Sequence, residues 1–227
     1  MRYLIIVILI LLLVFGPGLW VKRVLSRYAR PNDRYSGTGG DLARHLLDSN
    51  ELQHITVEKT DAGDHYDPVE KAVRLTEDKF DGRSLTAITV AAHEVGHAIQ
   101  DKEGYKPLQL RGALVRGMQK VEKLGAGILI LAPFVGMVTR VPGIGILMFA
   151  GGLLTLASST LVHLVTLPTE FDASFGRALP MLKEQKILKE VDQPHARKIL
   201  KAAAYTYVSA SLMSLLNIAR WFAILRR

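Results

Sequence analysis

The chain has 227 residues, of which 49% are hydrophobic and 22% charged, and its formal net charge is +8. This composition excludes an intrinsically disordered chain, because such chains lack the apolar side chains needed to build a core. The absence of cysteine excludes disulfide bonds, thiolate zinc ligands and a thiol nucleophile. Basic residues lie mainly beside apolar segments, a distribution that argues against nucleic-acid binding and suits a membrane topology.

Three apolar segments predict contacts with a lipid bilayer. Leu4 to Val21 contains no charged residue and would be about 27 Å long as a helix, close to the thickness of the hydrocarbon layer. Because basic residues follow it and no cleavage site does, we interpret residues 1–21 as a transmembrane anchor with the next residues in the cytoplasm. Residues 124–167 are predicted to form a transmembrane hairpin. Residues 202–227 are predicted to form a helix that either spans the membrane or lies at its interface.

The polar regions between these segments are predicted to be cytoplasmic. Residues 22–123 favour a small α+β domain, and residues 168–201 a second cytoplasmic segment. The domain's predicted elements are a helix over Asp41–Leu47, strands over His54–Glu58 and Ala72–Leu75, and a helix from Ser84 to about Glu103. The predicted fold class is therefore a mainly α membrane protein with 3–4 transmembrane helices and a small α+β cytoplasmic domain.

The motif that carries chemistry is His93-Glu94-Val95-Gly96-His97, which has the HEXXH pattern. On a helix His93 and His97 lie about 40° apart and one turn from each other, so both imidazoles can reach one zinc ion. Glu94 lies beside them, where its carboxylate can take a proton from water and pass it to a leaving amine. The sequence therefore predicts one catalytic zinc ion per chain.

A catalytic zinc ion usually has three protein ligands, and without cysteine the third must be His, Asp or Glu. We favour Glu170, because it follows the predicted hairpin directly and two membrane crossings return the chain to the side that carries His93. His163 is the alternative, since an ionisable residue inside a predicted span is often functional.

At this point the sequence resembles the bacterial YugP-type membrane zinc metallopeptidases. The resemblance rests on the segments His93–Gln100, Asp64–Pro68, Val73–Leu75 and Leu167–Ser174 and covers nearly the whole chain. It implies a zincin-like domain with a gluzincin-like site, in which His93, His97 and Glu170 bind zinc and Glu94 is the catalytic base. It also implies a multi-pass protein of the bacterial inner membrane that acts on protein or peptide substrates.

Other residues near these motifs are candidates for supporting roles. Membrane proteases of the HtpX type have an aspartate four residues after the ligand glutamate, where this chain has Ser174. Either Ser174 or Asp172 could orient a ligand histidine through a hydrogen bond. His65 and Tyr66 are candidate donors to the oxyanion of a tetrahedral intermediate, although this segment also has the composition of a turn.

The leading hypothesis is a membrane-anchored zinc endopeptidase that hydrolyses membrane or membrane-proximal proteins. One alternative is an intramembrane protease of the site-2 type, with the HEXXH motif inside the bilayer. The other is a non-catalytic membrane scaffold that zinc stabilises, which would need a site closed by four protein ligands. The expected partners are a polypeptide substrate and a lipid bilayer, and no nucleic acid.

Overall fold

A computed structural model describes residues 2–115 and 165–206 continuously, together with a few positions between 117 and 162 and residue 208. The chain divides into two compact units. One consists of Met1–Gly16, Leu110–Thr166 and Tyr207–Arg227, and the other of Pro17–Gln109 and Leu167–Thr206. The second unit contains the predicted site residues apart from His163, which lies outside the described residues.

Helices and a small sheet alternate along the chain, in the following order. The N-terminal part contains α1 (Arg2–Tyr28), α2 (Gly39–Ser49), β1 (Thr56–Lys59), β2 (His65–Asp67), β3 (Ala72–Leu75), the short α3 (Glu77–Phe80), α4 (Leu85–Lys102) and a helix α5 that covers 106–115. The C-terminal part contains α6 (165–184), a 3₁₀ turn (Glu190–Asp192) and α7 (193–206). Within α6, Asp172–Ala178 is a π-helical segment that leads into α-helical Leu179–Glu184.

The two helices that organise this unit begin at side-chain caps. Thr38 caps α2 through a reciprocal capping box, in which its hydroxyl accepts from the backbone N–H of Asp41 and the Asp41 carboxylate accepts from the backbone N–H of Thr38. Ser84 caps α4 by accepting from the backbone N–H of Ala87. Gly104 follows the end of α4 with φ +64°, a conformation that favours glycine.

The sheet has the strand order β1-β3-β2, with β1 parallel and β2 antiparallel to the central strand β3. Val73 is paired with Val57 on one side and Tyr66 on the other. Both edges of β3 are therefore occupied, so an extended substrate can add only beside β1 or β2. The predicted strand Ala72–Leu75 is confirmed, whereas β2 lies in a segment that the sequence predicted to be a turn.

The core of this unit surrounds α4, whose residues from Leu85 to Gln100 are all buried. Small alanine side chains on α4 allow α2, β3 and α6 to pack closely around it. The core side chains from these neighbours and from α7 include Leu46, Leu47, Val73, Leu75, Leu182, Ile199 and Leu200. Burial of leucine-sized side chains contributes about 1.5–3 kcal/mol each to folding, so α4 is held firmly in position.

The predicted 3–4 transmembrane helices are wrong. Among the described residues, no helix is both long enough and apolar enough to cross a bilayer. Although α1 has 27 residues, it contains Pro17 and its second half carries Lys22, Arg23 and Arg27. Val21 and Val24 of that half are buried in the protein core. Apolar side chains that indicated an anchor in the sequence thus contribute partly to a protein core.

The predicted boundaries of the membrane segments stay predictions. Most of residues 124–167 and nearly all of residues 207–227 lie outside the described residues. The polar segments 22–123 and 168–201 are described for the greater part, and together they supply most of the second compact unit.

Candidate metal centre

The two histidines of the HEXXH motif lie side by side on α4. Their ring centroids are 4.8 Å apart and their planes are inclined by 79°. His93 is 5% exposed and His97 is 4% exposed. The one-turn spacing therefore places two imidazoles together inside the protein, as the sequence predicted.

Glu170 of α6 faces both imidazoles. Its Oε2 atom lies 3.2 Å from Nε2 of His93 and 3.4 Å from Nε2 of His97, and the residue is only 1% exposed. Burial alone raises the pKa of this carboxyl, but the two adjacent histidines outweigh burial and hold the pKa well below its usual range. Residues 93, 97 and 170 thus bring two nitrogens and an ionised oxygen to one point.

Close contact between α4 and α6 makes this convergence possible. A Cβ atom built on Gly96 would lie 2.7 Å from the carbonyl oxygen of Ala173. Only glycine fits this approach without a backbone shift. Ala173 lies in the π-helical segment Asp172–Ala178, which begins two residues after Glu170. Such segments occur frequently at functional sites.

The second nitrogen of each imidazole is held by a different partner. Nδ1 of His93 lies 3.1 Å from the hydroxyl of Ser174, and Nδ1 of His97 lies 2.9 Å from Oε1 of Gln100. Of the two predicted orienting residues, Ser174 therefore contacts a histidine of the pair. Asp172 instead accepts from Nε2 of Gln100 at 2.8 Å and from Nε of Arg177 at 2.7 Å.

Gln100 is a residue of this site that the sequence reasoning missed. The signal was its position, three residues after His97 on the same side of a helix that is otherwise rich in alanine, valine and isoleucine. A fully buried glutamine on such a helix needs partners for its amide, and His97, a candidate metal ligand, supplies one.

Glu94 is enclosed beside the metal-ligand candidates. It follows His93 directly on α4 and is 6% exposed. A buried carboxylate that is adjacent in the chain to a candidate metal ligand is a candidate general base for water.

His65 and Tyr66 lie on β2 and use their polar atoms elsewhere. Nδ1 of His65 is 2.8 Å from the carbonyl oxygen of Gly63. The Tyr66 hydroxyl donates to Oδ2 of Asp101 at 2.6 Å. Burial, together with this carboxylate, raises the pKa of Tyr66. The role of either residue as an oxyanion donor stays a prediction.

The three converging side chains fit a zinc ion. Their candidate ligand atoms all lie within 4.8 Å of one another, and all three residues are buried. Two imidazole nitrogens and one carboxylate oxygen form a donor set typical of catalytic zinc sites. Each Nδ1 atom contacts a neighbouring side chain, and the two Nε2 atoms face the same carboxylate, as ligation requires.

Comparisons with known proteins agree with this chemistry. Residues 3–226 match a protein family described as "Putative neutral zinc metallopeptidase". A similar protein is the "Putative membrane protease YugP" of Bacillus subtilis (strain 168), which is 35% identical over 209 residues. That alignment covers 90% of this chain and 88% of the relative. No solved structure matches the chain.

Proposed function

Because the chain belongs to the neutral zinc metallopeptidase family, we propose that it is a zinc-dependent endopeptidase whose metal is held by His93, His97 and Glu170. The observation that carries this proposal is the buried convergence of these three side chains. Zinc as the cofactor follows from the family, which confirms the prediction made from the HEXXH motif.

The roles of the surrounding residues follow from their positions. When bound, zinc supplies Lewis acidity, which polarises a carbonyl and lowers the pKa of water. Glu94 takes the proton from the attacking water and delivers it to the nitrogen of the leaving amine. Because Glu94 and the imidazoles are buried together, bulk water competes little for these groups.

A catalytic site is favoured over a structural one by the number of ligands. Among the residues that the structure describes, the metal-binding group has three members. Structural zinc sites are usually closed by four protein ligands, whereas catalytic sites keep one position for water or substrate. This argues against the hypothesis of a non-catalytic scaffold.

Packing of α4 argues against the intramembrane alternative. This helix is enclosed by α2, the sheet and α6, and its C-terminal turn carries Asp101 and Lys102. Tyr66 and Lys71 from the sheet region both bond to Asp101. The motif helix is therefore embedded in a folded protein unit that includes a β-sheet, whereas the alternative places it among transmembrane helices.

Substrates that lie at a membrane suit this chain best. Its relative from Bacillus subtilis carries the name of a membrane protease. Among the side chains of α1 that the structure describes in the first unit, Leu11, Leu12 and Phe15 are exposed. Exposed apolar patches mark sites of protein or membrane contact. We therefore place the enzyme at the cytoplasmic face of the bacterial cell membrane, acting on membrane-proximal polypeptides.

Replacement of Glu94 by glutamine tests the proposed mechanism. Glutamine keeps the shape of the side chain but cannot accept the proton, so cleavage of an unfolded protein substrate should fall by at least about 100-fold. The zinc content should stay near one per chain, because Glu94 is not a proposed ligand. Glu70→Gln, on the exposed surface, is the matched control. Cleavage that persists in E94Q would contradict the proposed role of Glu94.

A further inference from the structure

We propose that Gln100 is a positioning residue that fixes the tautomer of His97 and ties it to the backbone beside Glu170. This inference rests on the metal site proposed above. It concerns a step before metal binding, namely how the protein presents a nitrogen lone pair to an incoming ion.

The amide of Gln100 is oriented by two acceptors. Its Nε2 atom donates to the carbonyl oxygen of Thr169 at 2.9 Å and to Oδ2 of Asp172 at 2.8 Å. A carbonyl and a carboxylate can only accept, so the NH₂ end of the amide must face them. The amide oxygen Oε1 is thereby turned towards Nδ1 of His97, at 2.9 Å.

This orientation selects one tautomer of His97. Because the amide oxygen can only accept, the ring carries its hydrogen on Nδ1. In a neutral imidazole the other nitrogen, Nε2, then has the free lone pair. That nitrogen lies 3.4 Å from Oε2 of Glu170, inside the proposed metal site. With a hydrogen on Nδ1 held by Gln100, Nε2 is the nitrogen of His97 that faces the proposed metal site.

Other contacts keep the orienting carboxylate in place. Arg177 donates from Nε to Oδ2 of Asp172 at 2.7 Å, and its guanidinium also pairs with Glu103 at 2.9 Å. Glu103 is the C-terminal cap residue of α4. Glu103 thus contacts Arg177, Arg177 contacts Asp172, and Asp172 contacts Gln100. Gln100 itself is fully buried.

The amide also joins the two helices that supply the metal ligands. Gln100 lies on α4 three residues after His97, while its two acceptors lie on α6, one residue before and two residues after Glu170. A single side chain therefore sets both the ring of His97 and the backbone that carries Glu170. His93 differs, because its partner Ser174 has a hydroxyl that can donate or accept and selects no tautomer.

Nitrogen NMR on metal-free full-length protein tests the tautomer directly. With ¹⁵N-labelled histidine, we expect Nδ1 of His97 in the wild type to carry a hydrogen, because it faces the amide oxygen of Gln100. In Gln100→Leu the acceptor is lost, and we expect a shift towards the Nε2–H form. Gln53→Leu, at an exposed position away from the ring, should retain the Nδ1–H form. A purely structural role of Gln100 would not produce this pattern.

Zinc affinity is the second readout. Gln100→Leu should weaken zinc binding by about 10–100-fold, the range typical for loss of a residue that orients a metal ligand. Gln53→Leu is the matched control, because Gln53 is exposed and bonds only to the backbone of Asp48 among the described contacts. Circular dichroism checks that each variant is folded.

Three results would overturn the inference. The first is a wild-type His97 with its hydrogen on Nε2, and the second is an unchanged tautomer in Gln100→Leu. The third is a zinc dissociation constant of that variant within twofold of the wild-type value. The wild-type spectrum needs no variant, so the test survives if Gln100→Leu fails to fold. The tautomer is measured without metal or substrate, so failure of the proposed function would appear separately, as a wild type that binds no zinc.

Discussion

Gly96 and Ala173 lie in such close contact that a Cβ atom at position 96 would be 2.7 Å from the carbonyl oxygen of residue 173. Gly96 lies between Glu94 and His97 on α4, and Ala173 follows Glu170 on α6. The middle of the HEXXH motif is thus the point where the two helices that carry the proposed ligands meet. The distance between the imidazoles and the carboxylate depends on this contact.

Substitution of Gly96 by alanine should therefore damage both folding and metal binding. Overpacking of a tight contact costs roughly 1–3 kcal/mol of unfolding free energy, and displacement of α6 should lower zinc affinity by at least about tenfold. Gly16→Ala is the control, since a Cβ atom there would meet no described atom within 4 Å. Thermal unfolding and zinc titration measure the two effects. A G96A variant with wild-type zinc affinity would show that the contact does not set the site.

Ser174 gives a second prediction, because its hydroxyl lies 3.1 Å from Nδ1 of His93. Ser174→Ala leaves that buried nitrogen without its partner, which costs about 1–3 kcal/mol. If this free-energy cost applies mainly to the zinc-bound state, zinc affinity should fall by about tenfold or more. Ser49→Ala, at an exposed position, is the control. Equal zinc affinity in S174A and wild type would contradict an orienting role for Ser174.

Tyr66 should contribute to stability rather than to turnover. Its hydroxyl donates to Asp101, which also bonds to Lys71. Tyr66→Phe should lower the free energy of unfolding by about 1 kcal/mol and leave kcat within about threefold of the wild type. Denaturant unfolding and steady-state kinetics measure the two quantities. A fall in kcat of about 100-fold with KM unchanged would instead assign the hydroxyl to oxyanion stabilisation.

The buried carboxylate of Asp192 should make the folded protein less stable in acid. This fully buried carboxylate accepts from Nε of Arg34 and from the Tyr35 hydroxyl, both at 2.7 Å. Burial alone raises the pKa of Asp192, but these bonds outweigh burial and lower it below the usual value of 3.8. Because the pKa is lower in the folded state, the contribution to stability is complete above about pH 4 and is lost as the pH falls through the folded-state value.

The matched variant is Asp192→Asn, which removes the charge and keeps the shape. At pH 7 it should be less stable than the wild type by on the order of 2 kcal/mol. Below about pH 4 the difference should shrink, because the wild-type carboxylate becomes protonated. Urea unfolding at a series of pH values measures this. A stability difference that stays constant from pH 7 to pH 2 would contradict the assignment.

Local sequence patterns predicted the centre of the site well. Ser84 and the apolar residues after it predicted a helix that the structure confirms as Leu85–Lys102. Because the HEXXH spacing is a property of any α-helix, the proximity of His93 and His97 followed directly. The structure also places Glu170 against them. The topology argument for Glu170 relied on membrane crossings, which the structure does not support.

Features that depend on contacts with other segments of the chain were missed, whether those segments are near or distant in sequence. β2 was read as a turn because Gly63, Asp64 and Pro68 have turn-forming composition, yet pairing with β3 stabilises it as a strand. The partners of Gln100 lie about 70 residues away, and no local pattern indicates them. Hydropathy also did not reveal that Val21, the last residue of the predicted anchor, packs into the protein core together with Val24.

The most direct test of the account is a crystal structure of the zinc-loaded protein with anomalous diffraction data at the zinc edge. We predict one zinc ion per chain, with Nε2 of His93, Nε2 of His97 and a carboxylate oxygen of Glu170 each at about 2.0–2.2 Å. A zinc ion bound by the two histidines while Glu170 points elsewhere, or an ion bound at a different place, would contradict the proposed centre.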